Sequence, residues 1–240
     1  MLLAIDAGNS NIKLALFDKS ELKAQWRLTS NDLSQLADLV PQNLDAILVA
    51  SVVPALNPTL TRICEDHLKL TPVFVDHTTP TGLKILYDSP AELGADRIVD
   101  AVAAVAKYGA PCIVVDFGTA TTFNAINAAS EFLGGAISPG LMTCSEALFA
   151  RAAKLPRVNF EKPERVIGSS TVTAIQSGLY HGYTGLVDGV LERMIAEMNV
   201  KPRVIATGGL AHAIASRYIE LRDDTLTLEG LRLVYERIKN

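Results

Sequence analysis

Residues 2–17, LLAIDAGNSNIKLALF, have a counterpart 110 positions later in residues 112–127, CIVVDFGTATTFNAIN. Each segment is an apolar run that closes on Asp-x-Gly, a few polar residues and a second apolar run. That is the pattern of a strand, a tight turn and a returning strand. Asp, Gly and Asn are also the usual residues of an ordinary polar hairpin, but such a hairpin has no reason to recur with Asp and Gly in register. The recurrence implies a chain of two related halves. Gly8 and Gly118 are expected to permit positive φ and close backbone approach, so that N–H groups face an anion. Asp6 and Asp116, at the strand ends, are placed to hold a cation against that anion, while Asn9, Ser10 and Asn11 add donors and Lys13 a positive charge. Two such turns facing one another would clamp a metal and a phosphate.

The 240 residues are 49% hydrophobic, enough for one large core or for two domains of ordinary size. A formal net charge of −4, from 22 basic and 26 acidic residues with no Lys/Arg cluster, lacks the footprint of a nucleic-acid binder. The strand-like opening with Asp6 is unlike a signal peptide, and no apolar stretch reaches the roughly 18 residues of a membrane span. Cys64, Cys112 and Cys144 are odd in number and widely spaced, which suits buried thiols in a reducing compartment, so the chain reads as cytoplasmic. His67, His77, His181 and His212 show no ligand spacing with one another or with the cysteines.

The order of elements predicts an α/β fold. Strands are expected near 2–6, 11–17, 22–28, 46–51 and 72–75, with helices near 31–40, capped by Ser30, and near 56–68. Pro80, Gly82 and Pro90 then punctuate a loop carrying Tyr87, and Ile98, Val99, Val102 and Val105 give helical spacing up to Gly109. Pro111 divides the chain into 1–111, with the first turn and the Tyr87 loop, and 112–240, with the second turn. The second half predicts strands near 112–116, 121–126, 132–137 and 204–206, a helix from about Pro139, and a final helix near 228–238. Its longest helix, roughly 170–198, carries Val172, Ile175, Leu179, Leu186, Val190, Leu191, Met194 and Met198 on one broad face, suited to a core or to a subunit contact.

Gly94, Ala95, Asp96 and Arg97 open a helix after a proline-rich loop, which brings an acid, a base and backbone N–H groups to one N-terminus. Asp96 can there accept a proton from a substrate hydroxyl while Arg97 holds a carboxylate or carbonyl. The competing reading is a capping box, Ser89-x-x-Glu92 with Pro90 at the first position, beside two surface charges. Gly134-Gly135, Pro139-Gly140 and Gly208-Gly209 follow strand-like segments, where open sheets place ligands. No P-loop and no Gly-x-Ser-x-Gly elbow occurs.

Taken together these motifs resemble type III pantothenate kinases, in the superfamily of actin, the sugar and acetate kinases and the heat-shock chaperones. The resemblance runs through DAGNSN at 6–11, SVVP at 51–54, TGLKILYDSPAELGADRIVDAVAA at 81–104, DFGTATTF at 116–123 and GGAISPGL at 134–141. It continues through LPRV at 155–158, IGSSTVTAIQSGLYHG at 167–182, TGGLA at 207–211 and LTLEGL at 226–231. It implies a duplicated ribonuclease-H-like, actin-like fold of two lobes, each a mixed five-stranded sheet flanked by helices. The implied activity is phosphorylation of pantothenate by ATP, the first step toward coenzyme A. The loop of Asp6, Ala7, Gly8, Asn9, Ser10, Asn11, Ile12 and Lys13 would hold ATP phosphates, Asp6 would position magnesium or its water, and Thr119 would contact ATP from the second Asp-x-Gly loop. Asp116 would bind a monovalent cation, potassium or ammonium. Tyr87 and Gly94 to Arg97 would hold pantothenate, with Asp96 as proton acceptor, and Thr171 would complete the pocket from the other subunit of a homodimer. Ala7, Ser10 and Asn124 depart from the family pattern, where Val or Ile, Thr and Asp are common. Two other functions fit the same scaffold: a regulator that binds nucleotide without turnover, and a sugar or amino-sugar kinase.

Overall fold

The structure, a computed structural model, describes residues 1–152 and 154–239, and of Ser30 the backbone only. Packing divides it into two compact units, one of Met1–Gly109, Ser130–Leu133 and the chain from Thr225 onward, the other of Ala110–Ala129 and Gly134–Asp224.

In the first unit β1 (Leu2–Ala7), β2 (Ile12–Asp18) and β3 (Glu21–Leu28) form an antiparallel meander, and β4 (Ala46–Ser51) and β5 (Val73–Phe74) add in parallel. The order is β3-β2-β1-β4-β5. Both faces of β1 are covered, which is why it reads as an unbroken apolar run and not as an alternation. Leu2 and Ala4 face one core with Ala15, Phe17, Leu48 and Ala50, whereas Leu3 and Ile5 face another with Ile12, Leu14, Ile47 and Val49.

The first core is closed by α3 (Ala95–Tyr108) and α7 (Leu226–Lys239), through Val99 and Val102 of α3 and Leu228, Leu231 and Val234 of α7. The terminal helix thus packs with the N-terminal half, which moves it out of the 112–240 division read from the sequence. The second core is closed by α1 (Leu36–Leu39) and α2 (Asn57–Ile63), which runs on into a π-turn at Cys64–Leu68. The helix expected at 31–40 is a 3-10 stretch over Ser30–Gln35 before α1, preceded by Thr29 and not capped at Ser30. Its polar residues bond locally instead: Thr29 Oγ1 donates to Asp32 at 2.6 Å and Gln35 Nε2 to the same carboxylate at 3.3 Å.

Two-residue β6 (Lys84–Ile85) lies in the Tyr87 loop and pairs in parallel with the start of β9 (Glu131–Pro139). In the second unit β7 (Cys112–Phe117) and β8 (Ala120–Ile126) are antiparallel, and β10 (Arg203–Thr207) and β11 (Leu221–Arg222) add in parallel. With β6 at its edge this sheet has six strands and not the expected five, in the order β6-β9-β8-β7-β10-β11, of which the last five repeat the order of the first sheet. Pro139 ends β9 and does not start a helix; α4 (Leu141–Arg151) begins after Gly140.

The long helix is α5 (Thr171–Ser177), a π-turn at Gly178–Gly182 and α6 (Tyr183–Met198). A capping box starts it: Thr173 N donates to Ser170 Oγ at 3.2 Å and Ser170 N to Thr173 Oγ1 at 3.0 Å. Leu179, Leu186, Val190, Leu191, Met194 and Met198 pack into the unit's own core with Ile113, Val115, Phe117 and Phe123. The apolar face therefore serves the core, while Val172 at the N-terminal end is left 43% exposed. No helix among the described residues is long and apolar enough to cross a membrane.

Close contact of α7 on α3 requires a glycine. A Cβ at Gly230 would lie 2.6 Å from the Val99 carbonyl carbon, which is backbone and cannot swing aside. Gly230→Ala is expected to destabilise the protein by about 1–3 kcal/mol, read as a lowered midpoint in urea with an unchanged slope.

Candidate functional site

The first turn is closed by Ala7 paired with Ile12 and by Gly8 N donating to Asn11 O at 3.0 Å. The second is closed by Phe117 paired with Thr121 and by Gly118 N donating to Ala120 O at 3.1 Å. Neither glycine has positive φ, contrary to the sequence expectation. Their role is tight approach: a Cβ would stand 3.2 Å from Asn11 O at Gly8 and 3.3 Å from Ala120 O at Gly118. The N–H of each glycine closes its own turn. Ala7 and Ile12 are each 1% exposed, so only their backbone is available to a ligand. Asn9 and Ser10 form the exposed tip.

Asp6 lies opposite Lys13 in the ladder, with Lys13 Nζ 3.7 Å from its carboxylate, both side chains largely buried. Asp116 has different neighbours: its register partners are Thr122 on β8 and Thr207 on β10. Thr207 is buried, and its Oγ1 makes no hydrogen bond to the described residues. The next residue, Gly208, takes φ +91°, and a Cβ there would strike the Asp116 carboxylate and come within 2.6 Å of Phe117 N. Glycine is required here both for conformation and for space.

Exposed Thr119 has its carbonyl clasped by Gly140 N at 3.0 Å, just before α4, and by Thr143 Oγ1 of α4 at 2.7 Å. Thr121 is buried and hydrogen-bonded to Tyr183 of α6, whose phenol burial pushes above its ordinary range. Asn124 is buried too, and its Nδ2 donates to Thr122 Oγ1 at 3.3 Å, beside Asp116 in the ladder.

In the first unit α3 begins at Ala95 with Gly94 before it. The capping-box alternative is not formed: Ser89 makes no side-chain cap, and Pro90–Glu92 is a separate 3-10 turn. Ala95 is a core residue. Asp96 folds back over the helix start, where its Oδ1 accepts from Arg97 N at 2.7 Å. Gly94 makes room for it, since a Cβ would lie 2.5 Å from that oxygen. The residue is half-buried but its carboxyl is enclosed. Burial pushes the carboxyl above the ordinary aspartate range, against the backbone donors and the Arg97 charge that pull it down.

Arg97 is 5% exposed, with Tyr87 and Phe132 both 5.6 Å from its guanidinium carbon. Tyr87, Gly94, Asp96 and Arg97 are thus brought together in the first unit. Thr171 belongs to the second unit, exposed at the first position of α5. Sequence reasoning missed Phe132, Thr207 and Tyr183; Thr207 directly precedes the Gly208-Gly209 pair at the end of β10, which was its signal, whereas the Gly134-Gly135 pair lies inside β9 and not after it. Burial pushes the Cys64 and Cys112 thiols up to about 12, so both are protonated at neutral pH.

The model of the type III pantothenate kinase family matches residues 2–193. A type III pantothenate kinase of Pelobacter propionicus is 48% identical over 253 residues, covering 99% of each chain. One of Koribacter versatilis is 44% identical over 262 residues, covering 99% of this chain and 96% of its own. Among solved structures, one described as a Baf family transcriptional activator from Campylobacter jejuni superposes with TM-score 0.63 at 22% identity, covering 99% of both chains. A ROK hexokinase from Thermus thermophilus superposes with TM-score 0.52 at 14% identity over 99% of both. These two likenesses carry the fold alone, that of the actin-like ATPases and sugar kinases. With the family model spanning residues 2–193 and full-length relatives at this identity, the chain belongs to the type III pantothenate kinase family.

Proposed function

We propose that this protein transfers the γ-phosphoryl group of ATP to the primary hydroxyl of pantothenate, as its family membership implies. The observation that carries the reading is the Asp96 carboxylate, enclosed, held by the Arg97 amide and acted on by the charge of the buried Arg97. The pantothenate hydroxyl oxygen forms the new bond to phosphorus as the bond to ADP breaks, and its proton passes to Asp96. Phosphoryl transfer asks mainly for alignment and for charge neutralisation, so one late proton acceptor is enough.

The Asp6–Lys13 loop is assigned to the ATP phosphates, with Lys13 as the cation, and Thr119 to a further ATP contact. One carboxylate, Asp6, fits magnesium, which is commonly held by one or two carboxylates together with substrate phosphates. The Asp116 carboxylate and the neighbouring Thr207 hydroxyl offer the oxygen donors that a monovalent cation takes. Magnesium, when bound, neutralises charge on the transferring oxygens. Tyr87 and Arg97 are assigned to pantothenate, Arg97 to its carboxylate through a planar fork of donors.

A homodimer in which Thr171 serves the partner's site is also proposed. Its support is apolar exposure around Thr171, with Val166 at 66%, Ile167 at 88% and Val172 at 43%. A cytoplasmic location fits the three free cysteines.

ADP release from ATP and magnesium is expected to rise on adding pantothenate, and to fall when sodium replaces potassium. No stimulation by pantothenate in either salt would overturn the assignment. Asp96→Asn is expected to lower turnover by roughly 10²–10⁴-fold, whereas a regulator would keep its effect. The same variant tests the raised carboxyl. The folded state binds the Asp96 proton more tightly than the unfolded chain, whose ordinary value is 3.8. Stability is therefore lost as pH rises from that value through the folded one, and the deficit persists at pH 7. Asp96→Asn has no such deficit, so at pH 7 it is expected to melt no lower than the parent protein. Sedimentation at micromolar concentration is expected to give a dimer and Ile167→Asp a monomer; a monomeric parent protein would remove the shared site.

A further inference from the structure

Phe132 is fully buried at the start of β9, 35 residues after Arg97 in sequence. Its position is fixed by the backbone. It pairs with Ile85 of β6, and its carbonyl accepts from Leu86 N at 2.8 Å. The adjacent pair, Lys84 opposite Glu131, carries a 2.6 Å ion pair. The Phe132 ring meets Tyr87 edge-on, centroids 6.2 Å apart at 67°, and the Arg97 guanidinium carbon lies 5.6 Å from both rings. A guanidinium is attracted to aromatic faces and donates its hydrogen bonds in its own plane. Two rings packed against it at this distance limit its swing without competing for its donors.

We infer that Phe132 is a positioning residue for the substrate carboxylate, acting through Arg97: with Tyr87 it forms an aromatic clamp that aims the guanidinium edge. The inference rests on the assignment of Arg97 to the pantothenate carboxylate. The short β6–β9 ladder has a function on this account. It brings a ring from a distant stretch of chain under the arginine at the start of α3. Asp96 is held by the backbone instead, so loss of the ring acts on substrate affinity and leaves proton transfer in place.

The test compares pantothenate with its alcohol analogue, in which CH₂OH replaces the carboxylate, for the parent protein, Arg97→Met, Phe132→Leu, Phe132→Met and Phe132→Tyr. Phe132→Leu is expected to raise KM for pantothenate roughly tenfold with kcat within about twofold. The alcohol is expected to be little affected, so the acid-to-alcohol ratio of kcat/KM falls by the same factor. Phe132→Tyr keeps the ring and is expected to restore the ratio. Phe132→Met fills similar volume without a ring and serves if the leucine variant does not fold. An equal loss on both substrates overturns the inference, because it marks Phe132 as a packing residue only. A collapsed ratio in Arg97→Met with an unchanged one in the Phe132 variants overturns it too, and leaves the assignment of Arg97 standing. An unchanged ratio in Arg97→Met removes that assignment and the inference with it.

Discussion

Everything in the first unit that bears on chemistry hangs on β1 being buried on both faces. A strand with one solvated face reads its register from the contrast of apolar and polar side chains. Here both sets are apolar, and size does the work instead. The side facing α3 and α7 mixes Ala4, Ala15 and Ala50 with Leu2, Phe17 and Leu48, whereas the opposite side carries the large residues Leu3, Ile5, Leu14 and Val49. A slip by one residue would drive large side chains against the helices and leave voids on the other side, and close-packed interiors tolerate neither. Gly230 lets α7 approach α3 closely, and the strand register puts Asp6 opposite Lys13 at the end of β1. Core packing thereby sets the position of a charged group that contributes nothing to the core.

The duplicated turn segments, the double-sided strands and the α3 start were legible because their signals are local and chemical. A polar Asp-x-Gly inside apolar runs and a glycine before an Asp-Arg pair survive translation into structure with little ambiguity. The two-residue strands β6 and β11 were not legible, since two residues cannot show a period. Nor was the home of α7. Leu228, Leu231 and Val234 announce an amphipathic helix, but no property of the helix itself says which core it completes. The broad apolar face of α5 and α6 left core and subunit contact both open for a related reason, because a core face and a subunit face share one chemistry. Gly8 and Gly118 show a subtler error. Glycine was read as a need for positive φ where the need is room beside a carbonyl, and the left-handed glycine near the second turn is Gly208, on another strand.

Residues that act through other residues escaped the sequence reading for a further reason. Phe132 looks like an ordinary strand aromatic, and only the parallel pairing of β6 with β9 shows that it lies by Arg97. Tyr183, likewise, reads as one more apolar position on a long helix, yet its hydroxyl meets Thr121 of the second turn. A side chain's chemistry is written in the sequence, whereas its neighbour across a sheet is set by topology.

The two halves share strand order, turn length and the Asp-x-Gly placement, but the ladder gives their aspartates different company. Asp6 has Lys13 as its antiparallel partner and Ala50 as its parallel one. Asp116 has Thr122 and Thr207 in the same two positions. A carboxylate beside an ammonium is already compensated, so that turn can receive an anion such as a phosphate without stacking negative charges. Asp116 has two threonines as register partners in place of an ammonium, and the buried Thr207 Oγ1 makes no hydrogen bond to the described residues. One backbone frame thus occurs twice, and two differences in the flanking strands give its two aspartates different surroundings, the basis on which the first turn is proposed for ATP phosphate with its magnesium and the second for a monovalent cation.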